Sequence, residues 1–215
     1  MRIAVVLFPR ITALDAVGPY EMLQRLPDTT VTFVGHRLGE VRTENGFLGL
    51  TVDRTFEEIT DPEVVLVPGG AGSRVLLDDD RLLDWLRGAH STSRFTTSVC
   101  SGSLLLAAAG LLDGLTATSH WGALDKLGEL GAIPMSSRVV EHLEERIITS
   151  AGVSSGIDMA LRLAELLTDT VTAQAQQLML EYDPQPPFDA GSVAKAGPEV
   201  MARVLELSQI TAVKA

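Results

Sequence analysis

The 215-residue sequence holds a single cysteine, Cys100, so no internal disulfide can staple the fold and stability must come from burial. With that one Cys and only 4 His, no cluster has the spacing of a metal-ligand set. Basic residues are also few: 17 Lys and Arg stand against 28 Asp and Glu, a formal charge of -11. A nucleic-acid partner needs a basic face that displaces counterions, and this composition supplies none. Apolar runs are short, far below the roughly 18 residues of a membrane span. The N-terminal stretch, MRIAVVLFPRITALD, has one basic residue before an apolar run that Pro9 ends. It reads as a first strand rather than a leader, and we expect a cytoplasmic protein.

What is present is enough for a real core. Hydrophobic residues make up 46% of the chain and charged residues 21%, and the length suits one domain over residues 1–215 with a short helical tail from about residue 192. Ile3–Phe8, Val64–Val67 and Phe95–Val99 are strand-length runs of the kind buried on both faces of a parallel sheet. Helical spacing follows each of them: Leu14–Leu26, with a kink expected at Gly18-Pro19, then about Ser73–Arg87, then Gly102–Leu112. Glu40–Thr51 reads as a hairpin turning at Asn45-Gly46. Further helices are expected at Gly156–Leu167, Val171–Tyr182 and Pro198–Leu207. Strands alternating with helices define a doubly wound α/β sheet between helical layers, with ligands at the carboxyl ends of its strands.

Three segments fall at those ends. In Thr97-Ser98-Val99-Cys100-Ser101-Gly102-Ser103 a strand stops and a helix starts at once, which puts Cys100 on a sharp elbow before a helix N-terminus. Unpaired N–H groups there favour a thiolate, and Gly102 permits close strand–helix packing. A lone cysteine is often only a small buried hydrophobe, but the elbow aims this one into the ligand crevice. Pro68-Gly69-Gly70-Ala71-Gly72 ends a neighbouring strand. It is either a plain glycine turn or a close backbone approach, with the Gly70 and Ser101 N–H groups facing developing negative charge. Asp15 follows the first strand and is either an N-cap or a carboxylate serving the thiol; Glu21, nearly two turns on, is the rival. His142-Leu143-Glu144 has amidotransferase-triad spacing but lies in a charged stretch that reads as a solvated hairpin turn, so His142 is expected to be dispensable. His120, before Trp121, ends a strand and lines the crevice or packs beside it.

Taken together, Leu14-Asp15-x-x-Gly18-Pro19, Val67-Pro68-Gly69-Gly70, Ser98-Val99-Cys100-Ser101-Gly102, Ser119-His120-Trp121 and Ser155-Gly156-Ile157-Asp158 resemble the PfpI-like branch of the class I glutamine amidotransferase-like superfamily. The likeness is colinear from Ile3 to about Gly191 and includes Glu181-Tyr182-Asp183-Pro184 and Pro186-Pro187-Phe188. Within the branch it is most similar to members that hydrate isonitriles to N-substituted formamides. The resemblance implies a flavodoxin-like fold, a homodimer, no cofactor, a catalytic Cys100 and Asp15, and an assisting hydroxyl at Ser101, where the family carries threonine. From their places along the chain, Gly69, Gly70, His120 and Trp121 are the candidate oxyanion and substrate-binding residues, with Glu21 in support. Siblings that act as proteases or deglycases carry histidine after the cysteine, where this chain has Ser101; regulators of transcription carry a DNA-binding extension that we do not expect here. Hydrolysis of a small amide or α-oxoaldehyde, or a non-catalytic redox sensor built on Cys100, are the competing readings.

Overall fold

In the computed structural model, which describes the backbone of residues 1–214 and the side chains of residues 1–208, the short apolar runs become the centre of a seven-stranded sheet. The strands are β1 (Arg2–Val6), β2 (Thr30–Gly35), β3 (Gly39–Arg42), β4 (Gly49–Val52), β5 (Arg54–Thr55), β6 (Val64–Val67), β7 (Phe95–Val99), β8 (Thr116–Ala117), β9 (Ile133–Pro134), β10 (Val139–His142) and β11 (Ile147–Ser150). The helices are α1 (Ala13–Leu23), α2 (Asp80–Thr92), α3 (Gly102–Ala108), α4 (Leu124–Glu129), α5 (Ser155–Leu167), α6 (Thr170–Met179) and α7 (Pro198–Lys214). The main sheet has the order β10-β11-β7-β6-β1-β2-β5, parallel except for β10, while β3-β4 and β8-β9 form separate two-stranded pieces.

Burial explains which strands sit centrally. Every residue of β6 is buried, as is β1 after Arg2, so both need cover on two faces. One layer is built from α1, α5 and α6 and the other from α2, α3 and α4. This is a flavodoxin-like α/β sandwich. Chain order reverses between β1 and β6, and the crevice at that reversal lies outside the carboxyl ends of β1, β6 and β7.

Three local expectations need correction. Pro19 does not break α1, which runs unbroken from Ala13 to Leu23. Gly18 and Pro19 instead meet Ile157 and Gly156 of α5, a close approach between two helices. The helix expected from Ser73 begins only at Asp80, because Asp79 caps it by accepting the Leu82 N–H at 2.9 Å. A short 3₁₀ turn over Ala71–Arg74 fills the gap. Finally, His142 is not in a turn but ends β10, paired with Ile147 at the amino end of β11. Cys100 follows the opposite, carboxyl end, where Ser150 pairs with Val99.

Candidate active site

Cys100 sits in a left-handed backbone conformation, φ +58°, between the last residue of β7 and the first turn of α3. Few residues with a Cβ adopt that region, and the surroundings hold this one there. The Cys100 N–H donates to the carbonyls of Ser150 and Ala151 at 3.1 and 3.0 Å. Its carbonyl accepts the hydroxyls of Ser103 and Ser119 at 3.2 and 3.0 Å. Gly102 is obligatory, since a Cβ there would lie 2.1 Å from the Val67 carbonyl oxygen. These contacts fix its backbone from both sides, and the residue is 6% exposed.

The N–H groups of Ser101 and Val153 are near enough to the sulfur to favour its charged form, and the carboxyl of Asp15 lies beside it. Val153 achieves this at φ +38°, an uncommon conformation for a β-branched residue. Asp15 is fully buried near the start of α1. Its Oδ2 accepts the Gly69 N–H at 2.9 Å. Its Oδ1 has no partner of ordinary hydrogen-bond geometry, and the Cys100 thiol is the neighbour that favours its charge. Gly69 has no room for a side chain either: a Cβ would fall 2.5 Å from the Ser101 nitrogen and 3.0 Å from Asp15 Oδ2.

The electrostatics differ from the thiolate expected of a helix N-terminus. Burial, with Asp15 close by, pushes the Cys100 thiol up to about 12, and the two N–H groups only partly offset this. Burial also raises Asp15 to about 7, against the lowering effect of the Gly69 N–H and Cys100, while Glu44 adds a further upward push. Near neutral pH, Cys100 therefore rests as a thiol beside a carboxyl poised between its two forms.

Not every expected residue is presented to the sulfur. The Gly70 N–H donates to Ser101 Oγ at 3.0 Å, so it is not the free oxyanion donor that the sequence suggested. Ser101 Oγ also accepts the Ser73 hydroxyl at 2.9 Å, so it ties the glycine loop to the start of α3. Glu21 is held by Arg25 at 2.9 Å and Gln24 at 3.0 Å along its own helix, and is not brought under Cys100. His120 is close to the crevice, its ring against Gly152 and its Nδ1 accepting the Gly122 N–H at 3.1 Å. Burial and the nearby Arg74 lower its pKa, which keeps the imidazole neutral. Trp121 is 44% exposed, its ring 5.1 Å from that of His120. His142 bonds the Thr116 carbonyl and hydroxyl at 2.7 and 3.1 Å at the other edge of the sheet, which removes the triad.

Two site groups carried no usable sequence signal. Val153 contributes only its backbone N–H, and Glu44 sits in a charged hairpin connection like any solvated residue. Among the described residues no group of three or more His, Cys, Asp or Glu side chains could hold a metal ion, and no helix is long and apolar enough to cross a membrane.

A doubly wound sheet with a buried cysteine–carboxylate pair at its topological switch defines the class. The DJ-1/PfpI family model matches residues 1–166, and the chain belongs to that family. It is a homologue of isonitrile hydratase from Pseudomonas putida, 46% identical over 192 residues that span 89% of this chain and 83% of the relative. The crystal structure of a ThiJ/PfpI family protein from Pseudomonas syringae superposes with a TM-score of 0.91 at 39% identity, covering 99% of this chain and 88% of that one. Protein DJ-1alpha of Drosophila melanogaster is 31% identical over 61% of this chain and 63% of its own length.

Proposed function

We propose that this protein hydrates isonitriles to N-substituted formamides, with Cys100 as nucleophile and Asp15 as proton carrier. The reading rests chiefly on the placement of the buried Cys100 thiol beside the buried Asp15 carboxyl, and the hydratase homologue supports it. An isonitrile carbon must gain both a nucleophile and a proton. A buried thiol touching a carboxylate supplies both at one point.

In the first half, ionised Asp15 takes the Cys100 proton as sulfur bonds to the terminal carbon of R–N≡C. Asp15 then delivers that proton to the same carbon, giving the thioimidate R–N=CH–S. In the second half, Asp15 takes a proton from water as the oxygen bonds to carbon, and the nitrogen recovers that proton through Asp15. The tetrahedral adduct collapses by breaking the C–S bond. The hydroxyl proton returns to sulfur and R–NH–CHO leaves. The Ser101 and Val153 N–H groups hold the charge that develops on sulfur. Amide hydrolysis is less well served, since no imidazole partners Cys100 to ionise it.

The test is to mix purified protein with a panel of alkyl and aryl isonitriles and follow formamide by proton NMR. Turnover is expected for the parent, and none for Cys100→Ala with an unchanged circular dichroism spectrum. Formamide production by that variant at the parent rate would remove the covalent mechanism; no formamide from the parent on any isonitrile would remove the function.

A further inference from the structure

Glu44 lies on the connection between β3 and β4 and is half-buried. Its Oε1 accepts the Ala71 N–H at 2.9 Å, just past the glycines that close β6. Its own N–H donates to the Ile11 carbonyl at 3.2 Å, and Thr43 bridges to Ile11, four residues before Asp15. One residue thus joins the loop that leads into α1, and so to Asp15, to the loop whose Gly69 N–H holds that carboxyl. The same two loops are linked again by the Thr12 N–H to the Gly69 carbonyl at 3.0 Å.

We propose that Glu44 is a positioning residue, which locks the loop after β1 to the loop after β6 and sets its carboxylate near the Asp15–Cys100 pair. The ionisable groups facing this end of the crevice are Asp15, Cys100, Glu44, Arg74 and the neutral His120. Glu44 acts on both Asp15 and His120. Its charge keeps the Asp15 carboxyl protonated to higher pH, and its hydrogen bond fixes the loop from which Gly69 reaches Asp15. The effect on turnover rests on the isonitrile reading; the effect on the pair does not.

Two substitutions separate hydrogen bond from charge. Glu44→Gln keeps an acceptor for the Ala71 N–H, whereas Glu44→Ala removes both. Each is assayed twice across pH: by kcat/KM on an isonitrile, and by the rate at which iodoacetamide alkylates Cys100, the chain's only cysteine. For Glu44→Gln the acidic inflection of both profiles is expected to move down by about half a pH unit or more, with kcat near the parent value above it. For Glu44→Ala, kcat should fall several-fold with little change in KM. A shifted alkylation profile without isonitrile turnover would support the role of Glu44 and remove the hydratase reading. An unmoved alkylation profile in Glu44→Gln would overturn the role of Glu44, whatever the turnover.

Discussion

Replacing Asp15 with Asn should inactivate the protein and stabilise it, and the stabilisation should depend on pH in a calculable way. The Asp15 carboxyl titrates at 3.8 in an unfolded chain and at about 7 when folded, because burial disfavours its charged form. Between those values the folded state holds a proton that the unfolded state has released, so stability falls as pH rises through the window. The full cost, reached above about pH 7, is roughly three pH units or about 4 kcal/mol. Between about pH 5 and about pH 8 the part still to be lost is about 2–3 kcal/mol. Cys100 adds nothing there, since its unfolded value is 9.0 and its folded value higher still. Asn retains an oxygen for the Gly69 N–H but has no charge to bury. Urea unfolding of parent and variant at both pH values gives a double difference in which every other titrating group cancels. Parent stability should decline more steeply than that of the variant by about the amount above. Parallel declines would refute the claim that Asp15 is held near 7 by burial.

Ser101→Ala should cost about 1–3 kcal/mol of stability in urea melts, because the buried Gly70 N–H loses the hydroxyl it donates to at 3.0 Å. Turnover should fall with it, and Ser101→Thr, which keeps the oxygen, should restore both; a neutral alanine variant would make the hydroxyl a bystander. His142→Ala should retain the parent kcat/KM, since His142 bonds Thr116 at the far edge of the sheet. Loss of turnover with an intact fold would reinstate the triad.

The legible parts of the fold were those whose burial shows as side-chain chemistry. Val64–Val67 and Ile3–Val6 declare a two-sided strand because every position is apolar and buried. β7 is harder, since Thr96, Thr97 and Ser98 are fully buried yet polar. Their burial is tolerated partly through bonds such as Thr97 Oγ1 to the Val65 carbonyl at 3.0 Å, which no one-residue scale registers. The late start of α2 was missed because residues 73–79 have helical composition, while the Asp79 cap decides the boundary. In the site, Cys100, Asp15 and Gly69 were legible from their place at strand ends. Val153 and Glu44 were not: one acts through a backbone N–H set by an unusual φ, the other through a loop contact distant in sequence. The pKa of Cys100 was misjudged for the same reason, since a helix terminus is visible in sequence and depth of burial is not.

The absence of room behind Gly69 and Gly102 has a consequence for how relatives of this protein can diversify. The groups that hold the sulfur and the carboxyl are largely peptide N–H groups, from Ser101, Val153 and Gly69, and two glycines are sterically locked. Point mutation changes side chains far more readily than it re-aims a backbone amide, so such a core resists gradual retuning. The groups free to vary lie at the rim, where Trp121 is substantially exposed and Arg74 reaches the Gly122 carbonyl at 3.3 Å. Variation in what such a site accepts is therefore expected at the doorway, with the Cys100–Asp15 pair behind it passed on unchanged.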